Sequence, residues 1–279
     1  MTAIDAAEFR AAGTDLSERR RSGVSQGPLI DISAGSDAIG IDWGADGAAR
    51  IGAFTTIAAI AADARIAQAY PGLAAAALGL ATPQIRHLAT LGGNLAQRSR
   101  CWYFRNPDIA CLKKGGPECP ARTGNHLYSV AFDLGPWVAP HPSTMAAALL
   151  AYEASVSTDR RSALTIGELL GDGSNGAADH ALVSGEMIRR IELPPPVRGE
   201  RAFYKRAISR SHAEWPLVEV CARAIVPAHS SSSASPPAAL RPCRFACQRP
   251  KPRCRALRRV RQPSLTPRGK RALGQNRCR

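Results

Sequence analysis

Between residues 28 and 53, short apolar runs at 29–32, 38–43 and 49–53 alternate with turn residues. That alternation predicts a small strand meander. Residues 57–69 and 73–80 are Ala-rich with good helix propensity, which predicts two helices, the second ending near Pro83. Further along, 144–152 reads as a helix opening behind Ser143 and Thr144, and 154–157 with 163–166 read as strands around an Asp159-Arg160-Arg161 turn. Residues 186–193 form a strand pattern stopped by Pro194-Pro195-Pro196, and 202–208 form another. Residues 217–226 fit a helix or a strand, and no internal repeat is visible.

Two stretches break this order. Residues 98–143 carry many Gly, Pro, Asn and Arg residues with no apolar period. A loop much longer than roughly 15 residues is usually functional or disordered, and spaced cysteines favour function. After Ala228 the composition turns to Ser, Pro, Arg and Cys, and no acidic residue follows. Such a segment cannot bury a core.

Charge sharpens that division. Of the formal +15, the fourteen Lys and Arg residues of 229–279 carry all but +1, so the first 228 residues are nearly neutral. A basic face for nucleic acid is therefore not expected on the folded part. The tail reads as the product of a changed reading frame near 226–230, with a basic arm for nucleic acid or an acidic partner as the rival reading. No apolar run reaches the roughly 18 residues of a membrane span, and residues 1–10 lack the order of a secretion signal. The expectation is a soluble cytoplasmic protein, with export alongside a partner as the alternative.

Four of the eight cysteines, Cys243, Cys247, Cys254 and Cys278, lie in the tail, and Cys221 stands alone. Cys101, Cys111 and Cys119 cluster in the central loop among Arg, Lys and Gly. Without a secretion signal, metal ligation explains these three better than disulfides, and unliganded thiols are the alternative. Asp108, Glu118 and His87 make no acid–base arrangement, and no Ser/His/Asp spacing suggests hydrolysis.

The most informative stretch is 81–105, centred on Thr90-Leu91-Gly92-Gly93-Asn94. Adjacent glycines remove Cβ atoms where main chain must approach a bound group, and exposed N–H groups in such a turn hold a pyrophosphate. The whole run resembles the second FAD-binding segment of the flavoprotein subunits of the xanthine dehydrogenase and carbon monoxide dehydrogenase family. It is most like the branch of aldehyde oxidoreductases and 4-hydroxybenzoyl-CoA reductases, over about residues 9–224. A second motif of that family, Ala-Gly-Gly-Thr-Asp/Asn, is similar to Ala11-Ala12-Gly13-Thr14-Asp15, with Ala12 in place of the first glycine.

The resemblance implies an α+β chain: an FAD-binding two-subdomain fold of the vanillyl-alcohol-oxidase type with a truncated or disordered C-terminal domain. The implied division is 1–55 as a shortened N-terminal FAD-binding subdomain and 56–200 as the main one, holding the cysteine loop 98–143. Residues 201–228 would then start a C-terminal domain, and 229–279 form the tail. Implied FAD contacts are Ala11, Ala12, Gly13, Thr14, Asp15, Thr90, Gly92, Gly93, Asn94 and Ser143, with Lys205 near the flavin ring. Cys101, Cys111 and Cys119 are the implied ligands of an iron–sulfur cluster. Relatives place a fourth cysteine before His-Pro-Ser, where this chain has Trp137. The implied partners are a molybdopterin-binding large subunit and a 2Fe-2S small subunit, and the implied role is electron transfer from iron–sulfur centres through FAD to an acceptor.

Overall fold

The computed structural model describes residues 7–225 except 33, 34, 36, 37, 131–134, 209, 210 and 212. The basic tail, its four cysteines and the proposed change of frame lie outside the described residues.

The chain opens with β1 (Glu8–Arg10), a loop over 11–15, α1 (Leu16–Arg21) and β2 (Leu29–Asp31). β1 and β2 run parallel as a two-stranded sheet, Glu8 beside Leu29 and Arg10 beside Asp31. β3 (Ile41–Trp43) and β4 (Ala49–Gly52) then form an antiparallel hairpin in a different sheet. The meander expected over 28–53 is thus split. A parallel partner needs a crossover, which α1 supplies, so the first run pairs with β1 instead of its sequence neighbour.

The helical stretch expected at 57–69 is also divided, into α2 (Ile57–Ala62) and α3 (Ala64–Ala69). Asp63 is the cause: its carboxylate accepts from the Ile66 N–H at 2.8 Å, so it caps a new helix and closes the old one. Pro71 starts α4 (Pro71–Gly79), and Pro83 starts α5 (Pro83–Leu88) behind a Thr82 cap. The Gly-Gly-Asn segment is not a turn but the short helix α6 (Leu91–Leu95), capped by the Thr90 hydroxyl, which accepts from the Gly93 N–H at 3.2 Å.

A four-residue helix, α7 (Trp102–Arg105), opens the cysteine loop, which otherwise holds only single 3-10 turns at Leu112–Lys114 and Pro120–Arg122 among its described residues. α8 (Thr144–Ala151) follows, apolar on every side and correspondingly buried. Next come β5 (Ser155–Thr158), β6 (Leu164–Thr165), α9 (Ile166–Leu170), β7 (Ile188–Leu193), β8 (Glu200–Ala207) and β9 (Val218–Ile225). The strands expected around the Asp159-Arg160-Arg161 turn form, with β5 and β6 paired antiparallel. The ambiguous run 217–226 is a strand because it pairs with β8 along its whole length.

The main sheet has the order β3-β4-β7-β5-β6, so β7 joins the early hairpin to the later one. Ile51, Val156, Ile191 and Leu193 point from it into the core, where Ile57, Ile60, Leu73, Leu91, Met145 and Leu149 meet them. Burying one such side chain contributes roughly 1.5–3 kcal/mol. The result is a rigid sheet-and-helix body against which the 11–15 loop and α6 are set. No helix among the described residues is long and apolar enough to cross a membrane.

Candidate flavin-binding site

One cleft among the described residues brings the motif segments together. Its walls are the loop Ala11–Asp15, the Thr90, Gly92, Gly93, Ala96 and Gln97 side of α6, Ala53 and Phe54 after β4, and Leu182 with Glu186–Ile188 before β7. It is an open cleft of about 770 Å³ when its mouth is counted in. The structure therefore brings both glycine motifs, some 80 residues apart in sequence, to the same opening.

They contribute differently. Gly13 has φ of +73°, a left-handed conformation that costs an L side chain roughly 1–2 kcal/mol. Ala12 is not among the residues with positive φ, so the alanine in place of the first motif glycine strains nothing. Among the described residues the amides of Ala12, Gly13 and Thr14 donate to no main-chain carbonyl. They are free to receive an anion. At α6 the amides are already used: Leu91 donates to the Thr55 carbonyl at 3.0 Å, Gly92 to Ala53 at 2.8 Å and Gly93 to the Thr90 hydroxyl. Gly92 lacks a side chain for a packing reason, since a Cβ there would stand 2.9 Å from the Ala53 Cβ. Sequence reasoning had both motifs offering amides; only the first does.

Asn94 and Ser143 do not line the cleft. The Ser143 hydroxyl donates to Asn94 Oδ1 at 2.7 Å and accepts from the Ala146 N–H, while Met145 N–H also donates to Asn94. Together they lock α6 to α8 behind the cleft wall. Lys205 sits on the exposed face of β8, beside Val220 on β9, and away from the cleft. Phe9, Ile32, Phe54, Leu182 and Met187 supply apolar wall that no motif announced. A group with an anionic middle and flat apolar ends suits this lining: free amides on one side, apolar surface around them.

Asp15 is spoken for. Burial pushes its carboxyl upward, but the guanidinium groups of Arg100, Arg105 and Arg19 outweigh this and hold it below the usual carboxylate range. It is an ionised hub at the wall of the cleft.

The cysteine loop is pinned nearby. Asp179 accepts from Arg98 Nε at 2.6 Å and Lys113 Nζ at 2.5 Å, and the Ser99 N–H reaches it at 3.2 Å. Lys113 also lies 4.0 Å from the ring centroid of Trp137, the residue standing where relatives are expected to carry a cysteine. Trp137 thus covers a buried ammonium instead of offering sulfur. Cys101, Cys111 and Cys119 are unbridged, and Cys101 has its thiol pushed up by burial first and by the other two thiols in small part. Among the described residues no group of three or more His, Cys, Asp or Glu side chains is arranged to hold a metal. Among the described residues the donor set does not complete a four-thiolate cluster site.

His141 and His180 border the same ion cluster. Burial lowers each to about 4, and His141 Nδ1 accepts from the Ser143 N–H at 3.2 Å. The unfolded chain takes up these protons near pH 6.5 and the folded chain only near pH 4, so stability falls as pH drops through that interval. Thermal unfolding at pH 7, 5.5 and 4.5 should show a falling midpoint, and the His180→Gln variant should show a shallower fall.

Residues 2–196 match the family described as the FAD binding domain in molybdopterin dehydrogenase. The chain belongs to that family. Within it, the FAD-binding subunit PaoB of Escherichia coli aldehyde oxidoreductase is 33% identical over 228 residues, 78% of this chain and 71% of the relative. The FAD-binding subunit of Escherichia coli xanthine dehydrogenase is 37% identical over 90 residues, 32% of this chain and 31% of the relative. Among solved structures, carbon monoxide dehydrogenase of Oligotropha carboxidovorans superposes with a TM-score of 0.57 at 18% identity, over 79% of this chain and 62% of that one. Quinoline 2-oxidoreductase of Pseudomonas putida gives a TM-score of 0.54, also at 18% identity, over 80% and 62%. The chain thus spans less than two thirds of each of these two chains, and these likenesses speak for the fold. The mixed helix-and-sheet class expected from sequence agrees with them.

Proposed function

We propose that this chain binds FAD in the cleft between the 11–15 loop and α6, and serves as the electron-relaying flavoprotein subunit of a molybdenum hydroxylase. The observation that carries the reading is the meeting of the free Ala12, Gly13 and Thr14 amides with the α6 wall at one opening. Main-chain amides in such a loop hold the diphosphate without a side-chain charge. Thr90 sets the α6 wall, and Phe54, Leu182 and Met187 exclude water from the flanks. Bound FAD supplies the redox chemistry, which no protein side chain here provides. A molybdopterin-binding large subunit and a 2Fe-2S small subunit, the partners that the family resemblance implies, would deliver the electrons. The flavin reading places the cofactor in this chain, and the iron–sulfur centres in the partner.

Titration of the purified full chain with FAD tests this. Expected is quenching of flavin fluorescence that saturates at one FAD per chain, together with a raised unfolding midpoint. A chain that leaves flavin fluorescence and its own unfolding unchanged at saturating FAD would disprove the assignment.

A further inference from the structure

The loop that offers the free amides has little of its own to hold it. Inside it the Gly13 carbonyl accepts from Ser17 N–H at 2.8 Å and the Asp15 carbonyl from Arg19 N–H at 3.2 Å. An anion cradle made of amides works only if the loop is fixed beforehand, because ordering it on binding subtracts from affinity. Its anchorage is the Asp15 side chain, 12% exposed, which receives four donors. Arg105 Nη2 reaches it at 2.7 Å, Arg100 Nη2 at 3.0 Å, Arg19 Nε at 3.1 Å and the Arg98 N–H at 3.1 Å. Glu18, one turn on, takes the other arms of Arg100 and Arg105.

Arg105 is the centre of this lattice. Besides the two carboxylates it donates from Nε to the Ser99 carbonyl at 2.8 Å and from Nη2 to the Arg98 carbonyl at 3.1 Å. Its planar fork therefore fixes the start of the cysteine loop and the end of the flavin loop with one group, a geometry a lysine cannot reproduce. None of the residues from 99 to 105 lines the cleft. Arg100 extends the same lattice outward, with its guanidinium 4.5 Å from the Trp215 ring centroid.

Resting on the flavin reading above, we propose that Arg105 is a positioning residue for the flavin cradle. It acts through Asp15 and Glu18, so that occupation of the cleft and ordering of the 98–105 segment that carries Cys101 are coupled. Such coupling is reciprocal: whatever loosens 98–105 weakens FAD, and FAD tightens 98–105. The carboxylate has a second effect that the arginines cancel. An unneutralised Asp15 beside a diphosphate would repel it, and three guanidinium groups around it remove that repulsion.

Hydrogen exchange of the full chain, with and without FAD, reads this directly. In the wild type, FAD should slow exchange in the peptide spanning 98–105, although none of 99–105 lines the cleft. Arg105→Gln should abolish that slowing and weaken FAD binding by about tenfold or more, within the range usual for site coupling. Glu18→Gln, at a residue whose side chain is 42% exposed, should weaken FAD several-fold and shrink the slowing. A wild type that binds FAD with unchanged exchange at 98–105 would overturn the coupling and leave the flavin assignment standing. The same holds if Glu18→Gln and Arg105→Gln bind FAD as the wild type does. A wild type that binds no FAD removes both.

Discussion

Asp179→Asn should destabilise the chain by about 3–5 kcal/mol at pH 7, the cost usual for removing one partner of a buried ion pair. Asp179 and Lys113 are 3% and 4% exposed, and Arg98 completes the set. Asparagine keeps the shape and the acceptor for Ser99 N–H, but removes the negative charge that Lys113 and Arg98 both face. Burial alone would raise the Asp179 carboxyl, yet Lys113 and Arg98 outweigh it and hold the group far below the usual carboxylate range. A depressed carboxylate contributes its stability above the unfolded value near 3.9 and loses it as pH falls through the folded value. The deficit of the variant should therefore be full at neutral pH and shrink in strong acid. Urea unfolding of both proteins at pH 7 measures it. A difference under about 1 kcal/mol would mean that the lattice around Lys113 rearranges freely, and that the cysteine loop is not pinned there.

That pin was not legible in the sequence, and the reason is physical. Arg98 and Lys113 come from the cysteine loop and Asp179 from the segment before β7, with no period or motif to join them. The motif residues were legible because glycine and alanine around a Thr-Asp pair are needed locally, whatever the rest of the chain does. Even there, the sequence showed which segments meet and not which groups are free. The Gly92-Gly93 pair has the composition of an anion loop, but its amides go to Ala53 and Thr90 because Gly92 is pressed against β4's exit. Asn94 and Ser143 likewise carry polar atoms that a ligand could use, and spend them on each other. Helices were legible by propensity, but their breaks were not: Asp63 ends α2 by capping α3, a choice decided by one side-chain bond. Pairing of β2 with β1 rather than with β3 depends on a crossover, which no local pattern encodes.

Replacing Gly13 by valine should lower FAD affinity by about 100-fold while the body of the chain stays folded, which follows from where the strain falls. A β-branched residue at φ of +73° is a genuine outlier, and its Cβ would stand 3.1 Å from Ser17 Oγ and 3.4 Å from Arg10 Cδ. Relief comes from rotating the 12–14 peptides, since Asp15 is held by its four donors and β1 by β2. That rotation redirects the amides that the proposed flavin site assigns to the diphosphate. Losing two charge-assisted bonds at about 1.5–3 kcal/mol each corresponds to a hundredfold or more in affinity. Gly13→Asn is the control, because asparagine adopts the left-handed region far more readily. It should retain FAD binding within about tenfold of the wild type. Fluorescence titrations of the three proteins, each checked by its unfolding midpoint, decide the matter. Equal affinity of the valine and asparagine variants would show that the 11–15 loop does not hold the diphosphate, and would move the cradle elsewhere in the cleft.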